Sequence, residues 1–143
     1  MASLFQRISV RPLLIVPVII LASSLFLTGC AAGKRVTISK LELTDQLKSG
    51  SPPTIVDVRS SDEYEAGHIP GAIHIPWWAV FTRHSNIPSA HEEPLVIYCE
   101  HGPRATLAKL ELRIVGFQEI LYLEGHMASW READLQIEKS ASP

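Results

Sequence analysis

Cysteine is scarce in this chain: Cys30 and Cys99 are the only two among 143 residues. Their surroundings differ so much that a disulfide between them is not the natural reading, and each needs its own explanation. Acidic side chains are missing from the first 30 positions, where Arg7 and Arg11 are the only charges. Beyond residue 30 the balance reverses to 11 basic against 15 acidic side chains, which leaves no basic surplus to attract nucleic acid. No internal repeat is visible, and the length leaves too little material for a second domain. The apolar share of 46% is ordinary for a globular chain but is unevenly spread, being concentrated near the N-terminus.

No charge interrupts residues 12–33, whose densest apolar part is residues 13–27. Arginines followed by an apolar stretch are the layout of a secretory signal. Its end, Leu27-Thr28-Gly29-Cys30, resembles the lipobox of bacterial lipoproteins, where small residues let a peptidase cut before a cysteine whose sulfur carries a diacylglycerol. The resemblance implies a signal peptide at residues 1–29 and a lipidated N-terminus with linker at residues 30–35. It also implies a lipid anchor on Cys30 that holds the chain at a membrane of the bacterial cell envelope, on the periplasmic side. Each buried methylene of such an anchor adds about 0.8 kcal/mol. Ala31 lacks the aspartate that often retains lipoproteins at an inner membrane. The alternative is a transmembrane anchor, for which about 20 apolar residues suffice. Lys34 and Arg35 follow the run as closely as Arg11 precedes it, so the orienting charge bias is weak, and a tetrapeptide ending in cysteine stays unexplained.

Residues 36–138 read as one domain, with residues 139–143 as a frayed tail. Residues 36–38 suggest a first strand, and Leu41, Leu43 and Leu47 a short helix that stops at Gly50, Pro52 and Pro53. Residues 54–58 are β-branched except Asp57, as in a strand buried on both faces of a parallel sheet, and a similar run returns at residues 95–98. Residues 72–75, after the Pro70-Gly71 turn, form a shorter strand candidate, with a helix at residues 77–83 and a loop at residues 84–94. Residues 104–115 have apolar positions at 107, 110 and 114 and at 108, 112 and 115, which predicts a helix with a broad buried face, ended by Gly116. Residues 120–123 read as a strand and residues 127–134 as a last helix with Trp130 inward. Strands and helices alternate, which argues for an α/β fold: an open parallel sheet with helices on both faces and right-handed crossovers.

In such sheets ligands bind beyond the carboxyl ends of the strands, and Cys99 follows the strand at residues 95–98. Glu100, His101, Gly102, Pro103 and Arg104 lead straight into a helix, so backbone N–H groups can converge on the cysteine and favour negative charge there. The reacting form of cysteine is its thiolate, which helix N-termini and neighbouring cations favour. Gly102 allows positive φ, Pro103 suits a first helical turn, and Arg104 can hydrogen-bond across the loop. The alternative is a cysteine that is simply a small buried hydrophobe at a strand end.

The run Cys99-Glu100-His101-Gly102-Pro103-Arg104 resembles the six-residue active-site loop of single-domain rhodanese-like sulfurtransferases. Val56-Asp57-Val58-Arg59 and Glu63-Tyr64-Glu65-Ala66-Gly67-His68-Ile69-Pro70-Gly71-Ala72 are similar to that family's N-terminal signature. Gly116-Phe117 and the stretch from Leu123-Glu124-Gly125 to Trp130 are similar to its C-terminal one. The resemblance implies a sheet of about five parallel strands and a sulfur-accepting Cys99 in a loop that binds substrate through residues 100–104. Asp57 and Arg59 fall where they could reach the loop as supporting residues, although Arg59 and Glu63 are expected to form a structural ion pair. For His68 the resemblance implies a turn-stabilising role rather than catalysis. Trp77, Trp78 and Trp130 are expected to be core. The family typically carries a second glycine where this chain has His126, so His126 is a further residue expected near the loop.

The implied reaction moves sulfane sulfur from a small donor such as thiosulfate, or from a protein persulfide, through a Cys99 persulfide to cyanide or a thiol acceptor. It needs neither metal nor organic cofactor. With Cys30 lipidated no second thiol resolves the persulfide, so turnover needs an external acceptor. Glu100 beside the nucleophile should disfavour a doubly charged anion. Protein tyrosine phosphatase loops also begin with Cys and end with Arg, but enclose five residues where Cys99 and Arg104 enclose four. The remaining alternative is a membrane-tethered sulfur carrier or protein-binding module without turnover.

Overall fold

The computed structural model describes residues 36–140; the predicted signal, Cys30 and its linker lie outside the described residues, as do positions 141–143. Five strands, β1 (Thr37–Ile38), β2 (Thr54–Asp57), β3 (Ile73–His74), β4 (Leu95–Tyr98) and β5 (Ile120–Leu123), form one sheet in the order β1-β5-β4-β2-β3, with every pairing parallel. The helices are α1 (Lys40–Lys48), α2 (Ser61–Ala66), α3 (Val80–Arg83), α4 (Pro103–Ile114) and α5 (His126–Glu132), with 3-10 turns at Trp77–Ala79 and His84–Asn86 flanking α3. The α/β fold with a parallel sheet expected from the alternating pattern, and the count of about five strands implied by the resemblance, are therefore present. The strands at residues 54–58 and 72–75 are each shorter than expected, ending at Asp57 and spanning Ile73–His74, although single backbone bonds still join Val58 to Tyr98 and Ile75 to Asp57. No helix among the described residues is long and apolar enough to cross a membrane.

The strands alternate their side chains between two apolar layers. On one face Val56, Val58, Leu95, Ile97, Cys99 and Ile120 pack with Ala105, Ala108 and Leu112 of α4 and with Ile75, Val80 and Ile87. On the other, Ile55, Val96, Tyr98, Leu121 and Leu123 pack with Leu43 of α1 and with Met127 and Trp130 of α5. β4 lies at the centre and is buried at every position. This double burial explains why its sequence is continuously apolar.

The helix predicted over residues 104–115 is α4, but its buried face differs from expectation. Ala105, Ala108 and Leu112 are buried, whereas Leu107, Leu110 and Ile114 are exposed. A helix lying on one side of a sheet can bury only one stripe, and two alanines let its axis come closest along theirs. Trp78 is likewise exposed rather than core, while Trp130 is buried and donates its indole N–H to the Gln136 carbonyl at 2.9 Å. Trp77 is partly buried against the layer containing Cys99.

Candidate active site

Capping fixes the pieces around Cys99. The Ser60 hydroxyl caps α2 by accepting from the Glu63 N–H, and the Glu63 carboxylate returns a bond to the Ser60 N–H at 3.0 Å, a reciprocal box that pins the Glu63 side chain. Gly102 stands at the N-cap of α4 with φ 119°, and Pro103 opens the helix. The loop 99–104 thus turns sharply from the end of β4 into α4.

Cys99 is fully buried at the bottom of this loop, and the Gly102 N–H points at its Sγ from 3.0 Å. The Cys99 and Glu100 carbonyls accept the N–H groups of Met127 and Ala128, at 3.0 and 3.3 Å, which seats the loop on the first turn of α5. His101 and Pro103 are exposed at the rim. A cavity of about 530 Å³ lies at the opposite end of the sheet among Gln46, residues 51–54, Glu93 and Pro94, away from the cysteine.

Three carboxylates and three guanidinium groups surround the loop. Arg59, 1% exposed, bonds Asp57 at 2.6 Å and the Gly67 carbonyl at 2.7 Å, and its other amine lies 3.6 Å from Glu100. Burial works to lower the Arg59 pKa, but the hydrogen bonds and charge of Asp57 outweigh it and raise the value. Glu100 is also paired with Arg131. Arg104 makes a two-pronged contact with Glu63 at 2.5 and 2.8 Å, which holds the Glu63 carboxyl down at about 2 and raises the Arg104 pKa.

These pairings correct three expectations. Arg59 does not pair with Glu63, because Glu63 is committed to Ser60 and Arg104 while Arg59 folds back along its own strand to Asp57. Arg104 does not brace the loop by reaching across it; its guanidinium points outward to α2. The charge of Glu100 does not stand alone against an anionic donor, since two arginines face it. Arg59 does reach the loop, through Glu100, while Asp57 bonds Arg59 and not the loop itself. His68 lies in the turn before β3, stacked on Tyr64 at 3.7 Å, with its backbone exchanging two hydrogen bonds of 2.8 Å with Glu138. Glu63 and Arg131 were not among the predicted site residues. Glu63 carried a signal, the Ser60-x-x-Glu63 box that fixes its direction, whereas nothing local marks Arg131.

His126 is beside the loop. Its Nδ1 accepts the Cys99 N–H at 3.4 Å, and its Nε2 lies 3.1 Å from where a β-carbon on Gly102 would stand. The residue is held at φ 54°, following Gly125 at 70°. That conformation costs a non-glycine residue about 1 kcal/mol, a physical reason for the glycine that the resemblance leads one to expect there.

A parallel α/β sheet whose central strand runs into a buried cysteine, followed by a short loop that opens a helix, defines the class of domain. A model of the rhodanese-like domain matches residues 39–133, and the chain belongs to that family. A sulfurtransferase from Allochromatium vinosum is 31% identical over 100 residues, covering 70% of this chain and 92% of that protein. A probable adenylyltransferase/sulfurtransferase, MoeZ, from Mycobacterium tuberculosis is 31% identical over 99 residues, 69% of this chain; there the match spans only 25% of the relative's length. The crystal structure of the Alr3790 protein from Anabaena superposes with a TM-score of 0.66 at 27% identity, covering 73% of this chain and 94% of the other. Family and relatives together support a role in sulfur transfer.

Proposed function

We propose that the domain is a sulfurtransferase in which Cys99 carries the sulfur as a persulfide. The observation that carries this reading is the Gly102 N–H directed at Cys99 Sγ from 3.0 Å inside a closed loop. Such a donor stabilises negative charge on the thiolate and on the terminal sulfur of a persulfide. In the first half-reaction the thiolate attacks the sulfane sulfur of the donor. A new S–S bond forms at Sγ, and the bond to the rest of the donor breaks, its electron pair leaving as sulfite when the donor is thiosulfate. In the second, cyanide or a thiolate attacks the outer sulfur and Cys99 leaves as thiolate, with no net electron supplied or removed. Arg104 holds the loop from outside by fastening α4 to α2 through Glu63.

Intact-mass measurement of the purified full chain after thiosulfate tests the reading. One added sulfur atom that cyanide removes is expected for wild type and none for Cys99→Ser. A wild type that never gains sulfur, or a Cys99→Ser variant that gains it equally, sinks the proposal. A sulfur carrier without turnover would show the adduct but not its removal by a small acceptor.

We also propose that the domain lies outside the cytoplasm of a bacterium, held at a membrane by a lipid on Cys30. What supports this is the Leu27-Thr28-Gly29-Cys30 sequence after an uncharged apolar stretch.

A further inference from the structure

The imidazole of His126 lies against the loop at two points: its Nδ1 accepts the backbone N–H of Cys99 at 3.4 Å, and its Nε2 faces Gly102, 3.1 Å from where a β-carbon on that residue would stand. Those two residues carry the nucleophile and the N–H that meets it. We infer that His126 is a positioning residue, whose neutral ring braces Gly102 over Cys99 for sulfur uptake and releases that brace on protonation. The inference rests on Cys99 being the sulfur carrier.

The acceptor role of Nδ1 toward Cys99 leaves the proton of the neutral ring on Nε2. Protonation turns Nδ1 into a donor facing another donor, and the contact becomes repulsive. Burial lowers the His126 pKa and His101 adds in the same direction, so the neutral ring persists into mildly acidic conditions. Tyr122 packs edge-on to the ring from β5 at 6.2 Å, with Lys109 of α4 above the tyrosine. On the loop side, Glu100 is engaged by Arg59 and Arg131; before α5, Glu124 accepts from the Thr37 hydroxyl. An imidazolium would also attract the Cys99 thiolate, an effect of opposite sign, so the direction of the pH response decides between brace and electrostatic activation.

The experiment measures, for the detergent-solubilised full chain, the rate of sulfur uptake from thiosulfate divided by the rate of iodoacetamide alkylation of Cys99. Both reactions need the thiolate, so the ratio removes its titration, while only sulfur uptake needs the loop N–H groups in place. His126→Asn tolerates positive φ and offers an oxygen to the Cys99 N–H but does not titrate. His126→Gly suits the backbone and removes the ring. For wild type the ratio should fall by about tenfold between about pH 8 and about pH 5. It should change less than about threefold in His126→Asn and be lowered by about tenfold at every pH in His126→Gly. Parallel profiles for wild type and His126→Asn, a ratio that rises on acidification in wild type alone, or a His126→Gly ratio equal to wild type overturns the inference. If wild type itself takes up no sulfur while Cys99 is still alkylated, the sulfurtransferase reading has failed and the inference that rests on it is overturned with it.

Discussion

Glu63 serves two neighbours with one carboxylate, closing the cap of α2 on Ser60 and receiving both amines of Arg104. The Arg104 hydrogen bonds come first among the causes that bring its pKa from 4.5 to about 2. A folded value below the unfolded one means that the contribution to stability is complete above pH 4.5 and is lost as pH falls toward 2. After screening at a site about one-third exposed, Glu63→Gln should cost about 1 to 2 kcal/mol at neutral pH. Denaturant unfolding at several pH values checks this; a gap between wild type and variant that does not close in acid would refute the pairing. The place of Cys99 at a strand end before a helix was legible from residue types alone. The partners of the three arginines were not, because a charge four residues away in sequence says nothing about which way a guanidinium turns once its strand is packed. Only the reciprocal Ser60–Glu63 cap is a local pattern, and it is the one that takes Glu63 away from Arg59.

At the level of elements, α4 was legible in extent and misread in orientation. Two apolar stripes compete on its surface, and the one with alanines at 105 and 108 wins because it brings the helix axis closest to β4. The losing stripe, Leu107, Leu110 and Ile114, faces outward. Leu112→Ala should therefore cost about 2 to 5 kcal/mol, as expected for a buried leucine, whereas Leu110→Ser should stay within about 0.5 kcal/mol. Urea midpoints for the two variants measure the difference directly, and equal losses would contradict the observed packing. The edge strands β1 and β3 are two residues each and were harder to bound than β4, since their ends are set by a single neighbour.

For the whole molecule, alternation of apolar runs foretold a parallel α/β sheet but not the order β1-β5-β4-β2-β3. Strand order depends on which crossovers pack against which face, and no local spacing encodes that. β1 enters at one edge and β4 at the centre, so the loop with Cys99 belongs to the most enclosed strand. The proposed lipid anchor is a property of the chain as a whole: Cys30→Ser should abolish incorporation of labelled fatty acid, and a variant that still takes up label would exclude Cys30 as the attachment site.

The three carboxylates around the sulfur loop, Asp57, Glu63 and Glu100, are matched by Arg59, Arg104 and Arg131 within contact distance. Opposite charges so closely interleaved cancel much of one another's field a few ångströms away. These six charges therefore add little to long-range steering of a donor, and under the proposed function its selection falls to the backbone N–H groups of the loop. Neutralising one matched pair, as in Glu63→Gln with Arg104→Gln, should in that case leave the ionic-strength dependence of the proposed sulfur uptake nearly unchanged.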